Sequence, residues 1–407
     1  MTKILSYTLH LIFIVLASKG QAQFIYNYTA ENSPLPFNTV RCLESSSSAL
    51  WIGTDEGLAK LSGGNNWTIY NAGNSGLWSN DVRALKNDGD SLLWIGTVQG
   101  GLFSFDGLNW TNYTPLNSGL GDYLVRGIDI DIQGNIWIAT TEGLFVYDRT
   151  NWDTYTTNDG LLSNNTTTIC AAGNTKYIGT INGGVLYFDE TNNFINHTIV
   201  SSGIPDNSAL DIEIDNNGRP WFISPAAGLF VDDGDGGPWD VFNSGNSAIA
   251  SNSLLCLQHG AQGQIFIGTE TDGIVTKNGN QYSNLNIDNS ALTDNHILCL
   301  EKNEENTLWA GTFNGGLCEI HDIAGLLQKG SYPPNIHPTI VNAGASIHFS
   351  KNVNCTYSLV NMLGDEFKTG TLKNSRTINI PKTIKPGVVF IYYSIDNTIF
   401  TRRVIVH

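Results

Sequence analysis

The sequence predicts an all-β protein, a seven-bladed β-propeller followed by a small β-sandwich. Three observations carry that prediction. The segment Leu92–Asp106 (Leu-Leu-Trp-Ile-Gly-Thr-Val-Gln-Gly-Gly-Leu-Phe-Ser-Phe-Asp) recurs seven times in altered form, anchored by Trp51, Trp94, Trp137, Tyr177, Trp221, Phe266 and Trp309. Successive anchors lie about 43 residues apart, a period typical of propeller blades. Each period divides into four short alternating runs separated by Gly- and Asn-containing turns, which is the pattern of antiparallel strands. The propeller is expected over residues 23–325, a linker over 326–334 and the sandwich over 335–407.

The chain opens with Lys3, an apolar run from Leu9 to Ala17, and Gly20-Gln21-Ala22. That is the layout of a secretory signal peptide over residues 1–22, cleaved after Ala22. Its apolar run is too short to span a bilayer comfortably, and no later stretch approaches twenty apolar residues. The mature protein is therefore expected to be secreted or at the outer cell surface, with no membrane-spanning segment.

The second period illustrates the unit. An inner strand near Asp81–Lys86 precedes the anchor strand Leu92–Thr97, where Leu93, Ile95 and Thr97 face one way and Trp94 the other. A third strand near Leu102–Asp106 and an outer strand near Trp110–Tyr113 complete it. A loop of the form Asn-Ser-Gly-Leu-x-Ser-Asn then leads onward. Its copies are Asn74–Asn80, Asn117–Tyr123, Asn158–Asn164, Ser201–Asn207, Asn246–Asn252 and Asn289–Asn295. After Trp309 there is a third strand at Leu317–His321 and no recognisable fourth. The missing strand is expected from Ile25–Tyr28, which stands before the first loop as an outer strand does. Pairing it with the last blade would close the ring and hide an edge open to other chains.

One inner-strand position holds Cys42, Ala84, Gly127, Thr168, Asp211, Cys256 and Cys299. Mostly small residues suit strands converging on an axis. The cysteines read as small buried hydrophobes, with a disulfide between blades as the alternative that export allows. Beyond Leu326 the period stops, and the Pro- and Gly-containing stretch Gln328–Pro334 reads as the linker. Alternating runs at Ser346–Phe349, Thr356–Asn361, Thr377–Ile380, Val388–Ser394 and Phe400–Val406 suit a small sandwich.

Charge narrows the partners. The 407 residues carry a formal net charge of −16 with only 14% charged residues. Diffuse acidity disfavours nucleic-acid backbones and anionic membranes. On a propeller, the loops from outer to next inner strand share a face with those joining the second and third strands. The first set carries Trp78, Tyr123, Asp206 and His296; the second carries Asp55, Glu56, Gln99, Glu142, Asn182, Glu270 and Phe313. Polar groups with a few aromatics suit a glycan, which offers hydroxyls at its rim and apolar faces for stacking, or a surface protein. Arg41, Arg83 and Arg126 share one inner-strand position and could clamp a carboxylate, unless nearby acids already satisfy them. The candidate ligand-binding residues are thus Arg41, Arg83, Arg126, Trp78, Tyr123, Gln99, Glu142, Glu270, His296 and Phe313.

Catalytic and metal motifs are sparse. No His-Glu-x-x-His or Gly-x-Ser-x-Gly element occurs, and Asp232-Asp233-Gly234-Asp235-Gly236 lacks the spaced carboxylates and terminal Glu of a helix-loop-helix calcium site. No cofactor, metal or catalytic residue is expected. A lyase using His296, Tyr123 and the arginines is the enzymatic alternative, and an adhesin or assembly subunit is another.

The repeat Ser79-Asn80-Asp81-Val82-Arg83 … Leu93-Trp94-Ile95-Gly96-Thr97 … Gly100-Gly101-Leu102 resembles the two-component-regulator propeller repeat over most of residues 24–325. In that family such propellers form periplasmic sensor regions ahead of a membrane helix and a histidine kinase. No kinase or DNA-binding module follows here, so the resemblance implies the fold rather than signalling. The tail resembles the type A sorting domain of type IX secretion through Tyr332-Pro333, Tyr357–Gly364, Ile378–Ile380, Lys385-Pro386-Gly387 and Arg402–Val406. The usual Asn-Pro is displaced to Pro333-Pro334-Asn335, and the usual Gly-Tyr is Gly387-Val388. That resemblance implies an export address, removed or replaced at the cell surface, and the type IX machinery as a partner.

Overall fold

The computed structural model describes residues 25–321, apart from 64, 90, 190–192 and 235–237, and residues 336–406, apart from 338–339, 362–365 and 396–397. The expected signal peptide and linker lie outside the described residues. The chain divides into two compact units, Gln23–Asn335 and one containing Ile336–His407.

The described residues of the first unit form seven four-stranded antiparallel sheets. Blade one is typical, with strands Val40–Ser45, Ala49–Thr54, Gly57–Ser62 and Asn66–Tyr70 paired in that order. Each inner strand lies beside the next, and the seventh lies beside the first. Blade seven takes its inner three strands from Ile297–Lys302, Leu308–Thr312 and Leu317–Ile320, and its outer strand from Ile25–Tyr28. Tyr28 pairs with Leu317 and Ile25 with Ile320. The ring therefore closes as the spacing predicts.

The anchor strands are buried on both faces, not one, because each blade is packed between two neighbours. Trp51 of blade one packs with Leu85, Leu93 and Ile95 of blade two. Trp94 packs with Ile136, Ile138 and Phe145 of blade three. Trp309 of blade seven reaches Leu43, Leu50 and Ile52 of blade one. The Asp that opens the preceding hairpin fixes the indole: Trp137 and Trp221 donate Nε1–H to Asp131 and Asp215 at 2.9 and 3.0 Å. These aspartates also close their turns through their own backbone groups.

The recurrent loop is a hydrogen-bonded plug. The Asn at its end accepts from the backbone eight residues earlier, Ala30 to Asn38, Ala72 to Asn80 and Ser244 to Asn252, at 2.8–2.9 Å. Its apolar residue (Leu35, Leu77, Leu120, Leu161, Ile204, Ile249 or Leu292) is buried. The polar consensus is thus explained by backbone groups that the loop would otherwise leave unpaired.

The small rung is a close approach between blades. A Cβ on Gly53, Gly268 or Gly311 would overlap the cysteine beside it (Cys42, Cys256 or Cys299) and a β-branched residue of the next blade (Val82, Ile297 or Val40). Blade three swaps the order: Ala139 is paired with Gly127, so the pair keeps its small volume. The six cysteines are free. Cys42, Cys256 and Cys299 point their thiols at the carbonyls of Val82, Ile297 and Val40, 3.6–3.8 Å away, which favours the apolar-packing reading over a disulfide. Gly311→Ala is expected to cost about 1–3 kcal/mol by overpacking. Gly63→Ala, whose Cβ would meet nothing within 4 Å, serves as the control, with denaturant midpoints as the readout.

In the second unit, six strands form one hydrogen-bonded sheet. The runs read as separate strands at Ser346–Phe349 and Thr356–Asn361 are one strand, Ser346–Asn361. Register shifts against Glu366–Asn379 between His348 and Cys355 supply irregularities that let a single long strand bend. Its core includes Ile347, Leu359, Ile378, Val389, Ile391 and Tyr393. Tyr332, Pro333 and Met362–Gly364 lie outside the described residues.

Candidate functional site

Six inner strands break register by one residue: between Val40 and Cys42, Val82 and Ala84, Val125 and Gly127, Thr166 and Thr168, Leu254 and Cys256, and Ile297 and Cys299. The extra residues are Arg41, Arg83, Arg126, Thr167, Leu255 and Leu298. In blade five Leu210 donates its N–H to Ile223 O while Asp211 pairs with Ile223, so Leu210 takes the equivalent place. A bulge re-aims its side chain and increases local twist, and these seven residues sit at the loop-side end of the inner strands. All are half-buried. The ring they form has an arginine arc in blades one to three and a leucine arc in blades five to seven.

The three arginines are not equivalent. Arg41 makes a two-pronged contact with Asp55 at 2.7 and 3.0 Å, and Arg83 does the same with Asp81 at 2.6 and 2.8 Å. Asp55 also lies 3.9 Å from Arg83. Arg126 instead donates to the neutral Asn165 Oδ1 at 2.5 Å, and no carboxylate among the described residues comes within 4.0 Å of it. Burial lowers the pKa of its guanidinium from the usual value; Asp122 opposes that effect and Arg83 adds to it. Asp122 is itself engaged by Leu124 N–H and by the N–H and hydroxyl of Thr141.

The two loop sets share a face, because they are hydrogen-bonded to each other. Gly101 N–H donates to Tyr123 O, Glu270 N–H to Ser253 O and Phe313 N–H to His296 O, each at 3.0 Å. His296 and Phe313 stack at 4.9 Å with planes 20° apart, and the Arg41 guanidinium lies 5.7 Å from the Phe313 ring centre. His296, Phe313, Arg41 and Asp55 therefore form one continuous group. Trp78 is 68% exposed, and Phe37, Tyr123 and Phe313 are exposed on the same loops. Gln99, Glu142 and Glu270 lie at the rim, where Glu270 accepts from Ser253 Oγ at 2.5 Å. Phe37 was not singled out from the sequence, although it stands in the first loop copy.

Sequence reasoning missed a second ring. Three positions after each bulged residue, the inner strands carry Glu44, Lys86, Asp129, Cys170, Glu213, Gln258 and Glu301. Five of these supply an oxygen to a backbone N–H of the next blade. Glu44 accepts from Asn87, Asp129 from Ala171, Glu213 from His259, Gln258 from Lys302 and Glu301 from Ser45, at 2.6–3.1 Å. Lys86 bridges to Asp129 at 2.7 Å instead. The inner edge of each sheet would otherwise leave N–H groups unpaired at the axis, and this belt satisfies them. Asp211 does the same for Leu257 N–H at 2.8 Å.

Four belt carboxylates against one ammonium leave an excess of buried acid. Burial pushes Glu44 and Glu213 up to about 8 and Asp211 up to about 6, and it also raises Glu301. Burial alone would lower Lys86, but Asp129 and Glu44 hold it above the ordinary lysine value. Elsewhere, Asp232 accepts from Tyr187 OH at 2.9 Å and Asp233 from Arg219 at 2.6 Å, so both already have protein partners. Asp235 and Gly236 lie outside the described residues. No helix among the described residues is long and apolar enough to cross a membrane.

No protein-family model matches the chain, and no curated protein does. Solved structures do share the fold. The extracellular domain of the putative hybrid two component system BT3049 from B. thetaiotaomicron is similar with a TM-score of 0.66 at 18% identity, covering 94% of this chain and 57% of that one. PorZ, a bacterial surface component of the type-IX secretion system of Porphyromonas gingivalis, gives 0.59 at 16%, covering 91% and 60%. A catalytically inactive virginiamycin B lyase from Staphylococcus aureus, with quinupristin, gives 0.60 at 14%, covering 74% and 100%. This chain spans 57% and 60% of the first two. At these identities the likeness shows the fold, an all-β propeller.

Proposed function

We propose that this protein is a secreted or cell-surface propeller that binds a glycan or a surface protein on its loop face without turning it over. The observation that carries this reading is the rim itself. Exposed Trp78, Tyr123, Phe37 and Phe313 surround a mouth of paired and unpaired arginines. Flat exposed rings beside polar groups suit sugars and protein side chains alike. His296 stacked on Phe313 acts here as part of that platform, not as a base. Likeness to extracellular regulator domains and to PorZ supports a place outside the cell, and the resemblance of the tail's sequence motifs to sorting domains supports export by the type IX route.

Glycan-array binding and pull-down from envelope extracts test the reading. Trp78→Ala is expected to weaken the captured ligand roughly tenfold, the worth of one good aromatic contact, with an unchanged melting temperature. Time-dependent release of a shortened glycan would overturn the non-catalytic half and transfer the assignment to a lyase. Deleting residues 335–407 is expected to hold the propeller in the periplasm; unimpaired surface delivery would remove the sorting role.

A further inference from the structure

We propose that the axial mouth on the loop face is a subsite for a single carboxylate carried on an apolar body. Arg126 takes the carboxylate, and Leu255 and Leu298 take the apolar part. The proposal rests on the reading above only for the choice of face, not for the identity of the rim ligand.

A guanidinium has five N–H donors in a planar fork matched to a carboxylate. Arg41 and Arg83 already spend their forks on Asp55 and Asp81. Arg126 is half-buried and makes one hydrogen bond, to a neutral carboxamide, among the described residues. A partly desolvated cation without a counter-ion is unfavourable until an anion arrives. Its place as the bulged residue of the inner strand aims it at the mouth rather than into the blade.

The type of anion follows from its neighbours. Asp55, Asp81 and Asp122 lie around the arginine arc, so a phosphate or sulfate dianion would meet three carboxylates for one free fork. One negative charge balances one guanidinium. The rest of the ring then sets the body of the ligand. Positions occupied by arginine in blades one to three carry leucine in blades five to seven, with Thr167 between the two arcs. Leu210 packs against the core between blades five and six, but Leu255 and Leu298, bulged and half-buried, join no core cluster and leave apolar surface at the mouth, where polar residues would ordinarily stand. A uronic acid, polar on every edge, would leave that surface wet. An apolar acid covers it while its carboxylate reaches Arg126.

Isothermal titration with 3-phenylpropionate, glucuronate and 3-phenylpropanol tests this on the intact mature protein. Phenylpropionate is expected to saturate, with the other two at least tenfold weaker. Arg126→Gln should weaken phenylpropionate at least tenfold and leave phenylpropanol unchanged, and Arg126→Lys should recover part of the loss. Leu298→Asn should weaken phenylpropionate while sparing glucuronate. Equal binding of the acid and the alcohol overturns the role of Arg126, a comparison that needs no variant to fold. Glucuronate binding as tightly as phenylpropionate overturns the apolar arc. Trp78→Ala should leave phenylpropionate unaffected, so failure at the rim and failure at the mouth read out separately.

Discussion

A chain beginning at residue 29 is expected to melt far below one beginning at residue 23 and to aggregate on warming. The strand Ile25–Tyr28 covers the edge of Leu317–Ile320 along four paired residues. Asn27 Nδ2 donates to Ala291 O at 2.8 Å, and Tyr28 OH donates to Glu319 at 2.8 Å. The Tyr28 ring stacks on Trp309 at 6.2 Å and meets Trp67 edge-on at 5.5 Å. Removing the strand therefore exposes an apolar edge in blade seven and loosens its packing against blade one. Backbone and side-chain bonds at about 1 kcal/mol each, with the lost ring burial, put the cost near or above about 4 kcal/mol. That is a large share of a domain's usual margin of about 5–15 kcal/mol. The point variants grade the effect: Tyr28→Phe should lose about 1 kcal/mol and Tyr28→Ala about 2–3 kcal/mol. A truncated chain that melts with the intact one would show that the ring is not sealed by this strand.

Stability is also expected to fall as pH rises from about 6.5 to about 9. Glu44 and Glu213 hold their protons up to about 8 in the folded protein, while an unfolded glutamate releases its proton near its ordinary value. Between those values the native state binds more protons than the unfolded state, so stability declines with pH. The favourable contribution is full below the unfolded value and is lost as pH passes the folded one. Asp211, raised to about 6, is largely spent before this window opens. His197 and His259, lowered by burial, act in the opposite sense only below about 6.5. Buried thiols such as Cys256 add to the decline above about 8.5. These carboxylates keep some surface toward the channel, so solvent screening discounts the full shift. A fall of about 2–4 kcal/mol remains, or roughly 5–10 °C in melting temperature. Glu213→Gln retains an acceptor for His259 N–H and needs no bound proton, so it should raise the melting temperature at both values and more at pH 9 than at pH 6.5. Equal effects at both values would sink the assignment.

The repeat made most of the architecture legible. Trp94 and Gly96 of the anchor strand, the Leu77 plug and the placement of Ile25–Tyr28 all follow from local periodicity and from a strand count that does not close without them. Loop residues could be assigned to one face for the same reason. The ion pairs could not be read, because Asp55 and Asp81 come from different parts of their repeats and answer arginines in similar positions. The belt was missed because its members differ in kind. Glu44, Lys86, Asp129, Cys170, Glu213, Gln258 and Glu301 share a position but not a chemistry. The signal that could have found it was an acid at this one inner-strand position in four of the seven blades, Glu44, Asp129, Glu213 and Glu301.

Sequence alone determined the number of repeats, the strand order within each and the terminal strand that closes the circle, because these depend on period and alternation along one chain. Only the tertiary structure decided which arginine is left without a carboxylate and which acids hold protons. It also decided that bulges in the inner strands set Arg41, Arg83 and Arg126, and Leu255 and Leu298, at equivalent half-buried positions. Those outcomes depend on distances between residues some forty positions apart or at opposite ends of the chain, and on how much water the neighbouring blades leave around them.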